Sequence, residues 1–149
     1  MSLLTVSWYK IFGALLVIAA VLKAWDSSSI STTLQHFGAP SGLLSYLVLI
    51  VIGVEAFIGT MLLVSCRSAL LRTAAWAMLG GFTVLTVVMF LQPAAPPCGC
   101  LGRIGANLTP QQQHGLALGR NVALVVTGMG CLLWDRWRAG RALSAAVST

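Results

Sequence analysis

Cys98 and Cys100 stand one residue apart in the run Pro96-Pro97-Cys98-Gly99-Cys100-Leu101-Gly102 and are the side chains best suited to covalent chemistry in this chain. Two thiols so spaced can cycle between dithiol and disulfide if the turn brings their Cα atoms to roughly 5.5–6 Å, and a pair held off that distance forms a strained, readily reduced bond. Pro93, Pro96 and Pro97 fix their own φ and bias the preceding residues to extended backbone, which carries the cysteines away from any helix before them. Gly99 and Gly102 supply the freedom a tight turn needs. Arg103, and the helix start signalled by Thr109-Pro110, are placed to stabilise a thiolate by positive charge and helix N-terminus. The same thiols also suit half of a soft-metal site, with His36 or His114 as further ligands, or a purely structural bridge.

Glu55 is the second candidate, because it lies near the middle of an apolar run. A carboxylate at the centre of a membrane helix costs roughly a few kcal/mol unless it is protonated or paired, so it is expected to face a bundle interior. Lys10 and Arg120 are its expected partners by depth, with Asn121 beside Arg120, while Lys23 is expected to snorkel to the nearer surface. The carboxylate then serves either as a polar clamp between helices or in proton handling. Gly53 and Gly59 on either side of it, and Gly80-Gly81 farther on, are expected to admit a neighbouring helix closely.

These residues need elements to hold them, and composition says which. Of 149 residues, 58% are hydrophobic and 8% charged, too few polar side chains to clothe a globule in water. Four apolar stretches approach or exceed the roughly 20 residues that cross a bilayer as helix. The expectation is an all-α, integral membrane four-helix bundle forming a single domain over 1–149, with helices at about 4–24, 43–65, 69–91 and 110–137. The first stretch reads as a retained span, since no positive side chain precedes Lys10 and Lys23 with Trp25 replaces a small-residue cleavage site. Trp8, Tyr9 and Trp25 read as interfacial anchors, and the loop Asp26–Ser41 as holding one helical turn around Thr33–Phe37. His114 is expected to be exposed in a first helical turn, and Cys66 and Cys131 to be ordinary buried thiols.

With the N-terminus inside, Lys10, Arg67, Arg72, Arg136, Arg138 and Arg141 fall toward the cytoplasm and Lys23, Arg103 and Arg120 toward the other side. Both termini are then cytoplasmic and the Cys98 loop is periplasmic, on the face of a bacterial inner membrane where disulfides are made. The net charge of +6 calls for anionic lipid rather than nucleic acid. No nucleotide loop, zincin motif or serine triad is present.

Lys23 after the first apolar stretch, Glu55-Ala56-Phe57-Ile58-Gly59, Cys98-Gly99-Cys100-Leu101-Gly102 and Arg120-Asn121, taken in that order, resemble the MauE branch of the DoxX-like membrane proteins. Leu101 stands where that family usually has phenylalanine, and Lys10 where arginine is expected. The resemblance implies a four-helix membrane protein of redox maturation, a possible thiol-disulfide oxidoreductase. Its implied partner is a periplasmic thioredoxin-like or disulfide-containing protein, such as the small subunit of methylamine dehydrogenase. The apolar bundle with buried polar groups further suggests a quinone as electron carrier. Soft-metal binding or transport through the Cys-Gly-Cys hairpin is the alternative.

Overall fold

The computed structural model describes residues 2–92, 95–96 and 107–147, with side chains through Arg141. Among the described residues five α-helices follow one another: α1 (Leu3–Trp25), α2 (Ser28–His36), α3 (Leu44–Val64), α4 (Ala69–Leu91) and α5 (Pro110–Val147). No strand occurs among the described residues. Each long helix starts where an orphan amide finds a side-chain acceptor or where the backbone is already turning. Ser2 Oγ accepts from the Thr5 amide at 3.4 Å, and Ser68 Oγ from the Leu71 amide at 3.5 Å. A short 3-10 turn, Ser41–Leu43, leads into α3. Thr109 and Gln112 satisfy each other's amides at 3.0 and 3.3 Å, a capping box that opens α5 at Pro110.

α1 packs on α3 and α5, and α4 closes the ring against the same two helices. The interior is apolar around Trp8, Phe12, Leu16, Leu62 and Leu79. Yet Thr5, Lys23, Glu55, Thr86, His114 and Asn121 are buried, while Leu49, Phe57, Leu70, Leu91 and Val126 are exposed. Polar side chains inside and large apolar ones outside is the arrangement hydrocarbon favours, since water is absent from the surroundings. α1, the unit Ser41–Val64, α4 and the part of α5 from Pro110 to Arg141 are each long and apolar enough to cross a bilayer. The protein is a multi-pass membrane bundle.

Glycine decides where the backbones meet, although not at every glycine expected to do so. A Cβ on Gly13 would lie 2.8 Å from the Gly59 carbonyl oxygen, and one on Gly59 equally close to that of Gly13, so α1 and α3 cross with their backbones almost touching. Gly53, Gly80 and Gly81 have nothing within 4 Å of such an atom and face outward instead. Helical phase explains the difference at Gly53, which is six residues from Gly59 and therefore far round the helix from it.

Trp8 and Tyr9 are not interfacial anchors. They are 7% and 2% exposed and build an aromatic core, where Trp8 stacks on Trp76 with centroids 5.2 Å apart. The Trp8 indole N–H donates to Thr127 Oγ1 and that of Trp76 to the Tyr9 hydroxyl, both at 3.1 Å, so each polar tip finds its partner on a neighbouring helix. Gly128 makes room for the stack, since a Cβ there would come within 2.5 Å of the Trp8 ring.

Two elements are longer than their sequence suggested. The loop after α1 holds the nine-residue helix α2 rather than a single turn, begun by Asp26 Oδ1 accepting from the Ser28 amide at 3.2 Å. It ends at His36, and the chain turns away at Gly38, whose φ of +81° a side chain would resist. α5 runs on to Val147, past the expected end near 137.

Candidate functional site

Glu55 and Lys23 form a buried ion pair, Lys23 Nζ donating to Glu55 Oε1. Lys23 therefore does not snorkel outward, and it takes the place expected of Lys10 or Arg120. The reason is the antiparallel crossing. With Gly13 level with Gly59, Glu55 is level with Val17, and Lys23 stands about 9 Å farther along the axis at 1.5 Å per residue. Helical side chains lean toward their own N-termini, so on two antiparallel helices these two lean toward each other. Lys10 lies on the opposite side of the crossing and is exposed. The Lys23 ammonium also sits 5.0 Å from the centroid of the Phe82 ring, which adds a cation–π contact from α4.

α5 brings Arg120 and Asn121 to the same cavity. Arg120 donates through Nε and Nη2 to Asn121 Oδ1, at 3.3 and 3.2 Å, and not to the carboxylate. The cavity amounts to about 30 Å³, and its walls include Phe12, Leu16, Lys23, Glu55, Phe82 and Asn121. Glu55 and Asn121 are 1% and 2% exposed. Glu55 Oε2 and Asn121 Nδ2 have no hydrogen-bond partner among the described residues.

The other chemistry-bearing residues gather at the end of the bundle where α5 begins. His114 is not an exposed first-turn residue: it is 2% exposed, and its Nε2 is 3.0 Å from the Pro96 carbonyl oxygen. Gln113 Nε2 donates to the Leu108 carbonyl at 3.3 Å. His36, at the end of α2, lies 2.8 Å from Gln92 Oε1 at the end of α4. Cys98, Cys100 and Arg103 lie outside the described residues. Cys66 is buried in the aromatic core with Cys131 packed against the same cluster, and both are free thiols. Among the described residues no three His, Cys, Asp or Glu side chains converge as metal ligands.

Asp135 escaped notice in the sequence. Both of its carboxylate oxygens accept from the Ser2 amide at 3.1 Å, and Oδ2 accepts from Thr5 Oγ1 at 2.9 Å. With Thr5 also reaching the Cys131 carbonyl and Trp8 reaching Thr127, the N-terminal end of α1 is hydrogen-bonded to α5 at three successive positions. The available signal was scarcity, for the chain holds only three acidic residues.

A search of curated proteins and of solved structures returns no match. A family model, described as methylamine utilisation protein MauE, matches residues 1–135, which take in the ion pair, the Cys-Gly-Cys run, Arg120-Asn121 and Asp135, and by that match the chain belongs to the MauE family.

Proposed function

We propose that this membrane protein, from a family linked to methylamine utilisation, exchanges disulfides with a partner outside the cytoplasm, through Cys98 and Cys100. The observation that carries the reading is the hydrogen bond between buried His114 and Pro96, which fastens the chain to the start of α5 two residues before Cys98. The capping box at Thr109 and the His36–Gln92 contact brace the same connection near its two ends. Fixing the chain just before Cys98 restricts where the dithiol that follows is offered to a partner.

In the maturation direction, a partner thiolate attacks the Cys98–Cys100 disulfide. One cysteine leaves as thiolate and a mixed disulfide forms. A second partner thiolate then displaces the remaining cysteine, so the partner is oxidised by two electrons and the pair here is reduced. Restoring the disulfide passes two electrons to an acceptor and releases two protons, and a quinone dissolved in the bilayer is the acceptor class the reading calls for. Arg103 stabilises the thiolate state, and the Lys23–Glu55 pair holds α1 to α3 beneath the loop. On this reading both termini are cytoplasmic and the loop is periplasmic.

The test is a Cys100→Ser variant in a Cys66→Ala, Cys131→Ala background, isolated from cells with free thiols blocked. A mixed disulfide joining Cys98 to a secreted protein, absent from Cys98→Ser, supports the proposal. Absence of any adduct, with growth on methylamine unaffected by either substitution, overturns it. Stoichiometric binding of Cu(I) or zinc that either substitution abolishes would instead assign the pair to metal.

A further inference from the structure

The pocket beside the ion pair has a feature the pair does not explain. Glu55 Oε2 and Asn121 Nδ2 are an acceptor and a donor, on side chains 1% and 2% exposed, and neither has a partner among the described residues. A buried polar atom left unsatisfied is destabilising, because it has given up water without a replacement partner. Both side chains line one cavity of about 30 Å³. One water needs roughly 10–15 Å³ by such a measure, whereas benzene occupies an engineered cavity of about 150 Å³. The pocket thus fits water and excludes a ring, a quinone head included. Water both donates and accepts, which is what an unpaired carboxylate oxygen and an unpaired amide N–H together require.

Charge points the same way. The groups facing Glu55 are Lys23 from α1 and Arg120 from α5, while α4 offers only Leu79 and Phe82. One carboxylate among two cations gives a cation no reason to enter, and the bare Oε2 gives an anion none.

We propose that this pocket is a built water site, in which a water molecule donates to Glu55 Oε2 and accepts from Asn121 Nδ2, and that Glu55 exchanges protons through it. The step balances simply: carboxylate and hydronium give carboxylic acid and water, and the reverse returns the proton. Arg120, half-buried on the same wall, holds the Asn121 side chain through its Oδ1 and so leaves Nδ2 for the water. The assignment is independent of thiol exchange at Cys98 and Cys100.

Glu55 is the only glutamate in the chain, so carboxyl-labelled ¹³C-glutamate makes it a single-site infrared probe in the full-length protein. In nanodiscs, the labelled band is expected to shift promptly on transfer from H2O to D2O. Asn121→Leu should abolish that prompt shift, and Gly53→Ala, away from the pocket and in open space, should retain it. The double variant Lys23→Met, Glu55→Gln, which leaves no stranded buried charge, identifies the band by its loss, and size-exclusion profiles establish that each variant is folded. A band indifferent to D2O, or one that responds equally in Asn121→Leu, means a dry clamp and overturns the proposal.

Discussion

Removing the carboxylate at residue 55 strands the Lys23 ammonium in a low-dielectric interior, and the energetic consequence is asymmetric. Breaking one side of a buried ion pair costs about 3–5 kcal/mol, while replacing both partners by apolar side chains is often nearly neutral. Lys23→Met alone and Glu55→Leu alone should therefore each lower the unfolding midpoint in detergent steeply, and the double variant should recover most of the loss. Additive losses in that cycle would mean the two charges do not act as a pair. Glu55 was legible from sequence because hydrocarbon tolerates a lone acid in an apolar run only where the bundle turns it inward to a partner. That partner was not legible, because depth favoured Lys10 and Arg120 and left Lys23 to snorkel outward, and only the crossing at Gly13–Gly59 and the lean of the side chains select Lys23. His114 was misread for a related reason: nothing in the local sequence shows that Pro96 returns to cover it. A His114→Ala substitution should free the Pro96 segment, seen as faster alkylation of reduced Cys98 and Cys100 by a bulky maleimide, with little change in the unfolding midpoint of the bundle.

Helices in lipid gain little from hydrophobic exclusion of one another, so their packing depends on how closely backbones approach. Gly13 and Gly59 set that distance for α1 and α3. Gly59→Ala forces a methyl to within 2.8 Å of a carbonyl oxygen, and overpacking of this kind typically costs about 1–3 kcal/mol. Gly53→Ala, with open space around it, should be neutral or stabilising through helix propensity, about 1 kcal/mol at most. Thermal unfolding of the two variants side by side checks both signs. Gly128→Ala should unstack Trp8 from Trp76, read as a change in tryptophan fluorescence. Four long helices were legible because runs of apolar residues admit no other structure in a bilayer. The glycines that matter were not, since a glycine facing lipid and one facing a helix differ only by rotation about the axis. Trp8 and Tyr9 misled similarly, because an aromatic near a helix end suits the interface as well as the core.

The whole molecule is closed by contacts between its first and last spans. α5 is about 57 Å long at 1.5 Å per residue, well beyond the roughly 30 Å of a hydrocarbon core, so its basic end with Arg138 and Arg141 stacked over Trp134 and Trp137 projects past the bundle. Asp135 sits on that helix and grips the amide at the head of α1. Asp135→Asn weakens a charge-assisted contact and should raise hydrogen exchange in the first turn of α1 while leaving α3 and α4 unchanged, which mass-resolved exchange can read. The bond from Ser2 to Asp135 spans 133 positions, whereas the Lys23–Glu55 pair spans 32. A ribosome delivers the chain from its N-terminus, so the ammonium and carboxylate can find each other as soon as α3 enters the bilayer, long before the final span exists. The nascent protein must therefore wait as a half-built assembly with its opening residues uncaptured, and a chain terminated short of Asp135 never receives its latch.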